Sequence, residues 1–239
     1  RGLRHGPARE TRGRRVPTGG GSVTAGMTAQ PAPTVSEREL IYVGDPMCSW
    51  CWGIAPELER FRARHELPLR VVVGGLRPGP AAEPLDERLG RFLSKEWRHI
   101  EEVTGQPFDH STLERTGWLY DTEPAGRAVV TMRTLDEQAA LSFFERVQRA
   151  FYAEAVDVTD LDAYPALLPG FGVDPAAFMD LLRSEESRRA AWRDFSLARS
   201  WGIGGFPTVL VREGEQGFIL TRGYATADRL DEALAAAVV

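Results

Sequence analysis

Cys48 and Cys51 are the only cysteines in 239 residues, and both lie in the tetrapeptide Cys48-Ser49-Trp50-Cys51. Cysteines three apart on a helix have Cα atoms roughly 5 Å apart, inside the range a disulfide needs, so such a pair can close and open with little backbone movement. If a helix begins at Cys48, that thiolate faces unsatisfied backbone N–H groups and the positive end of the helix dipole. Both lower its pKa and make Cys48 the attacking nucleophile. Cys51, one turn further in, is then the more buried thiol and resolves a mixed disulfide by attacking the sulfur of Cys48. The Pro46-Met47 turn before the helix argues that the first thiol is exposed. Two other readings compete. A structural zinc site needs about four ligands, and His5, His65, His99 and His110 form no His-x3-5-His element, so no metal is assigned. Two inert core cysteines are the stronger of the two alternatives.

A second group of interest is Gly204-Gly205-Phe206-Pro207-Thr208, with a proline at the start of an apolar run, where its missing N–H costs least. Alone, this reads as an ordinary trans edge proline; beside a dithiol the balance reverses toward cis. Asp45, three residues before Cys48, could relay a proton to Cys51, or could simply be a turn residue before Pro46. Trp50 and Trp52 flank Cys51 and could grip unfolded substrate, one of them being plain core. Trp97, Trp118, Trp192 and Trp201 lie on or beside helical patterns and are read as packing.

Glu39 to Gly44 is a short β-rich run closed by the Asp45-Pro46 turn signal. From Cys48 a helical pattern runs through Ile54, Leu58 and Phe61, with Pro56 tolerable only in the first turns or at a local kink. Leu69 to Gly74 reads as a mostly buried second strand, completing a β-α-β unit. Strand signals then vanish from about 84 to 201. Leu85, Leu89, Phe92, Leu93, Trp97, Ile100 and Val103 recur at helical spacing until Gly105 and Pro107 stop the helix. Helices follow at about 124–136 and 138–155. Asp174-Pro175 and Ser184 look like the caps of two more. Pro207 to Val211 and Gly217 to Thr221 form a likeness of an antiparallel hairpin around a Gly214–Gly217 turn, and a helix from Thr226 closes the chain. This is the order of an α/β, thioredoxin-like fold carrying an all-helical insertion between strand two and the C-terminal hairpin. The implied divisions are 36–80, the insertion 81–201, and 202–239.

Composition narrows the function. A net charge of -5 gives no basic footprint for nucleic acid or anionic lipid. No apolar stretch approaches the roughly 20 residues of a membrane helix. With no thiol left for a structural disulfide framework, a reducing compartment is expected. Residues 1–35, rich in Arg, Gly and Pro, read as a disordered tail. Arg14-Arg15 is followed by no apolar h-region, which disfavours export, and Met27 is a plausible true start, leaving the residues before it as not native.

At this point the chain resembles the DsbA-like branch of the thioredoxin superfamily, and more particularly its FrnE-like cytosolic group. The resemblance rests on Asp45-Pro46-Met47-Cys48-Ser49-Trp50-Cys51-Trp52-Gly53, on Gly74-Gly75-Leu76-Arg77-Pro78-Gly79 and on Gly205-Phe206-Pro207-Thr208, and spans about 39–236. It implies a cytoplasmic protein-disulfide oxidoreductase or isomerase acting on cysteine-containing polypeptides, with Cys48 and Cys51 catalytic. It also makes Pro207 a cis-proline beside the dithiol, Phe206 the substrate-facing residue, and Trp50, Trp52 and Thr208 part of the substrate surface. No cofactor is implied beyond the dithiol itself, with exchange with glutathione or thioredoxin left open. The family's strong oxidants carry a His between the cysteines, where this chain has Trp50, and many relatives bury an acid six residues before the first cysteine, where this chain has Tyr42. Both absences imply a less depressed thiol pKa and a more reducing or isomerase-like poise. Two alternatives share the fold: a glutathione-dependent isomerase or transferase of the kappa type, and a non-catalytic protease adaptor. Redox potential, natural substrates and oligomeric state are not given by the sequence.

Overall fold

The computed structural model describes residues 38–237; the expected tail at 1–35 and the start at Met27 lie outside the described residues. Four strands form the central sheet: β1 (Arg38–Gly44), β2 (Leu69–Val73), β5 (Thr208–Glu213) and β6 (Gln216–Arg222), in the order β2-β1-β5-β6. β1 runs parallel to β2 and antiparallel to β5, and β5 and β6 are the expected hairpin, with an irregularity between Val209 and Leu210. Alternation along the strands sends Leu40, Tyr42, Val71, Val73, Val209 and Val211 into the main core. Ile41, Val43, Val72 and Leu210 point the other way, into a smaller cluster closed by Ala198 and Ile203.

Helix α1 (Ser49–Arg64) joins β1 to β2 and contains Pro56 in its middle. Proline has no N–H for the carbonyl four residues back, that of Trp52. The vacancy is filled from outside the helix: Gln106 Nε2 donates to Trp52 O at 2.8 Å, and Trp52 Nε1 donates to Pro107 O at 3.1 Å. Gln106 and Pro107 thus clamp α1 at its proline.

The insertion holds α2 (Glu87–Thr104), α3 (Glu123–Leu135), α4 (Ala140–Ala153), α5 (Pro175–Arg183) and α6 (Glu185–Ser200), and α7 (Ala227–Ala237) ends the described chain. Its boundaries follow local chemistry. Asp86 caps α2 by accepting from Leu89 N–H at 2.7 Å, and Gly105 ends it in the left-handed region at φ 72°. Asp174 and Ser184 cap α5 and α6 as expected. The insertion is not wholly helical, because β3 (Glu83–Pro84) pairs with β4 (Leu119–Tyr120) in a two-residue antiparallel ladder. So short a ladder has no periodicity to read. Three apolar residues expected to pack do not: Phe92 and Val103 lie off the buried stripe of α2, made by Leu89, Leu93, Trp97 and Ile100, and Trp201 is 38% exposed just past the end of α6.

β2 is an edge strand, and α3 and α6 occupy its free side. Asp194 Oδ2 accepts from Val73 N–H at 3.0 Å, and Arg133 Nη1 donates to Val71 O at 2.5 Å. Arg133 and Asp194 also pair with each other through two bonds of 2.7 and 3.0 Å. A buried ion pair is tolerable here because its remaining donors and acceptors are spent on strand groups that would otherwise be unpaired.

Candidate functional site

Cys48 is the N-cap residue of α1, extended at φ -90° and ψ 117°, with its carbonyl accepting from Trp52 N–H at 3.1 Å. No side chain caps this end and no acid lies in the first turn, so the free N–H groups and the dipole act on the thiol alone. Cys48 Sγ donates to Phe206 O at 3.5 Å, and the Phe206–Pro207 peptide bond is cis. The two thiols are free. Cys48 is only 7% exposed, which corrects the expectation of an open first thiol, because the Phe206 loop lies across it. Gly204 and Gly205, which precede Phe206 in the chain, are exposed, and Trp50 is half-buried.

Cys51 has no exposed surface. Burial pushes its thiol well above the ordinary value and the neighbouring Cys48 adds to this, while the Asp45 backbone and the Tyr42 hydroxyl act in the opposite direction. Tyr42, standing where many relatives bury an acid, has its hydroxyl end folded over Gly44 and turned on Cys51.

Asp45 is fully buried beneath the turn before Cys48. Its Oδ1 accepts from Met47 N–H at 2.8 Å and its Oδ2 from Leu76 N–H at 2.7 Å. Burial raises its carboxyl from 3.8 to about 6, against the lowering effects of these two N–H groups, of Thr122 and of Arg77. It is therefore more than a turn residue: it ties the Gly74-Gly75-Leu76 loop, 31 positions away, to the dithiol turn. Tyr120 stands beside it and donates from its hydroxyl to Met47 O. Neither Tyr120 nor the Leu76 contact carries a sequence signal, since both depend on contacts distant along the chain.

The residues expected to face substrate divide. Trp50 is partly exposed between His99 and Tyr224, with ring centroids 5.8 Å away on each side. Trp52 is the core member of the pair, stacked over Tyr152 at 6.2 Å. Thr208 is buried as the first residue of β5, and its hydroxyl donates to Gly205 O at 2.9 Å, so it shapes the loop and offers no outer surface. Phe206 turns its ring inward: a Cβ on Gly74 would lie 2.1 Å from Phe206 Cε1. It is the Phe206 carbonyl that meets the thiol. Among the described residues no group of three or more His, Cys, Asp or Glu could hold a metal, and no helix is long and apolar enough to cross a membrane.

Residues 39–235 match the model of the DSBA-like thioredoxin domain. A candidate protein disulfide isomerase from Nitrosomonas europaea is 32% identical, with 84% of this chain and 98% of that chain covered and a TM-score of 0.78. The cytosolic disulfide reductase DsbM from Pseudomonas aeruginosa is 26% identical, with 84% and 98% covered and a TM-score of 0.66. Its structure with GSH aligns at 25% identity over 84% and 100% of the two chains, with a TM-score of 0.68. Among curated proteins no sequence match is found.

Proposed function

The chain belongs to the DSBA-like thioredoxin domain family, and on that premise we propose that it reduces or rearranges disulfide bonds of polypeptides through a mixed disulfide at Cys48. The observation that carries this reading is the placement of Cys48 Sγ at the uncapped start of α1, one turn from Cys51 and 3.5 Å from the Phe206 carbonyl. In the reducing direction the Cys48 thiolate attacks one sulfur of a substrate disulfide. That S–S bond breaks, one substrate thiolate leaves, and a Cys48–substrate disulfide forms. Cys51 then loses its proton and attacks Cys48 Sγ, and the second substrate thiolate departs. Two electrons and two protons have passed from the dithiol to the substrate.

A thiol that gives up its proton reluctantly makes a better reductant, because its thiolate is not stabilised in the reduced state. The presence of Trp50 between the cysteines favours a reducing or isomerising poise over a strongly oxidising one. The dithiol is regenerated by a cytoplasmic thiol pool, with glutathione favoured by the likeness to DsbM, whose structure holds GSH. Trp50, with the Gly204-Gly205 surface and the Phe206 backbone, receives the polypeptide next to the reacting sulfur. Asp45 accepts the proton of Cys51.

Cys48→Ser is expected to abolish insulin reduction and the refolding of a scrambled substrate, and Cys51→Ser to accumulate covalent Cys48–substrate adducts. Activity that survives Cys48→Ser refutes the reading. The equilibrium of the Cys48–Cys51 disulfide against a glutathione series then ranks the protein as reductant, isomerase or oxidant.

A further inference from the structure

The central sheet is covered unequally on its two faces. On the face that carries Ile41, Val43, Val72 and Leu210, Ala198 of α6 and Ile203 after it complete a small buried cluster. Past Leu210 the covering stops. In the strand register Leu210 stands between Ile41 of β1 and Ile219 of β6, and exposure climbs along this row from 1% at Ile41 through 8% to 42% at Ile219. Exposed Trp201 lies against the same row and, with Ile203, walls a groove of about 470 Å³ over it. Two large apolar side chains left at the surface thus meet in one place, and contiguous apolar surface of this kind marks a site of interaction.

The groove is continuous with the loop that meets Cys48. Phe206 turns its carbonyl to Cys48 Sγ and packs its side chain against the buried cluster under the groove. Consecutive Cα atoms are about 3.8 Å apart, so Ile203, on the groove wall, lies within about 11 Å of Phe206. Between them Gly204 and Gly205 are exposed, and a Cβ built on either would meet nothing within 4 Å beyond its own chain neighbours. At the other end Arg212 is paired with Glu39 at 2.8 Å, which leaves no free cation among the described lining residues for an anionic partner. What the groove offers is burial of apolar surface, which is non-directional and independent of the exact sequence that delivers it.

We propose that this groove is a second anchoring site for polypeptide substrate, taking an apolar side chain a few residues along the chain from the cysteine under attack. This rests on the reading of the protein as one that acts on disulfides of polypeptides. An extended chain advances about 3.3 Å per residue, so about four to six residues carry it from the Phe206 carbonyl past Ile203 onto Leu210 and Ile219. Unfolded polypeptides present apolar side chains at such spacings, whereas folded ones bury them and glutathione is too short to reach. The groove therefore selects unfolded chains from the disulfides that can approach Cys48.

The test uses Ser- and Gly-rich peptides with one cysteine held as a mixed disulfide with nitrothiobenzoate. Cys48 attacks the peptide sulfur, the S–S bond to nitrothiobenzoate breaks, and that coloured thiolate leaves with the electron pair. One peptide carries leucine about five residues from its cysteine, a second carries it next to the cysteine, and a third has none. With reduced wild-type protein, the spaced leucine should lower the half-saturating peptide concentration about ten-fold and leave the limiting rate unchanged, the mark of binding lent equally to ground and transition state. Ile219→Ser should remove most of that advantage while the leucine-free peptide and dithionitrobenzoate react as before. Trp201→Ser should do the same and gives the answer if Ile219→Ser does not fold. The proposal is overturned by a wild-type protein indifferent to the spaced leucine, by variants that keep the preference, or by variants that slow with dithionitrobenzoate as well. A concentration-dependent dimer that Ile219→Ser splits assigns the groove to a second copy of the chain and also overturns it. A wild-type protein that reacts with dithionitrobenzoate but with none of the peptides refutes instead the reading of polypeptides as substrates.

Discussion

Gly74→Ala tests whether the Phe206 ring is what sets the loop over Cys48. The backbone of Gly74 is not in the left-handed region, so alanine can adopt it, and the lower conformational entropy of the unfolded chain would by itself favour alanine by about 0.4–1 kcal/mol. The added Cβ, however, would lie 2.1 Å from Cε1 and 2.2 Å from Cζ of Phe206. Ordinary carbon contacts are about 3.5–4.0 Å, so the ring must retreat by more than about 1 Å. The same residue carries the carbonyl that accepts from Cys48 Sγ, so the retreat moves the loop at the reacting sulfur. Overpacking of this kind costs about 1–3 kcal/mol, which for a domain of this size lowers Tm by roughly 2–12 °C. Urea denaturation measures the cost, and insulin reduction measures its effect on the site, which should weaken as well. Phe206→Ala provides the control: in that background Gly74→Ala should be neutral or stabilising, because nothing remains for the Cβ to strike. An equal cost in both backgrounds, or a cost under about 0.5 kcal/mol in the wild type, would refute the argument.

Two further outcomes follow from the buried carboxylates. The Asp45 carboxyl is held at about 6 in the folded protein against an ordinary 3.8, so the folded state keeps its proton longer than the unfolded chain. Its contribution to stability is therefore greatest below the ordinary value, declines as pH rises from about 4 to about 6, and is flat above. The raised value corresponds to a change on the order of 3 kcal/mol. Subtracting the denaturation curves of Asp45→Asn from those of the wild type should reveal this decline, and curves that stay parallel from pH 4 to 7 would contradict it. Asp194→Ala leaves the Arg133 guanidinium buried without its carboxylate and strips Val73 N–H of its acceptor, with an expected loss of about 3–5 kcal/mol. Hydrogen exchange should show the Val73 amide losing protection ahead of its neighbours in β1, and unchanged protection would show that the acceptor is not needed.

The features legible in the sequence were those encoded over a few residues. The start of α1 at Cys48, the one-turn spacing to Cys51, the stop at Gly105 and the caps at Asp174 and Ser184 depend on backbone geometry and contacts within one helical turn. The features that escaped it depend on partners far along the chain. Asp45 gains its second N–H from Leu76, Phe206 finds its space at Gly74, and Arg133 meets Asp194 from a different helix. The exposure of Phe92, Val103 and Trp201 was hidden for a related reason: helical spacing shows that apolar residues recur, and the neighbours decide how wide a stripe they cover. Trp50 and Trp52 could not be assigned individually from their shared position beside Cys51. The clamp from Gln106 and Pro107 draws one inward and leaves the other at the surface.

The ion pair along β2 also bears on how this chain avoids other copies of itself. An edge strand with open N–H and C=O groups is a template on which a second polypeptide can add a strand. Here Arg133 and Asp194 occupy those groups at Val71 and Val73, and both residues come from the helical insertion. Excising the insertion to obtain a minimal catalytic scaffold would therefore uncover an adhesive edge as well as shorten the chain. A trimmed protein of that kind should aggregate through β2 unless a charge or a proline is introduced there.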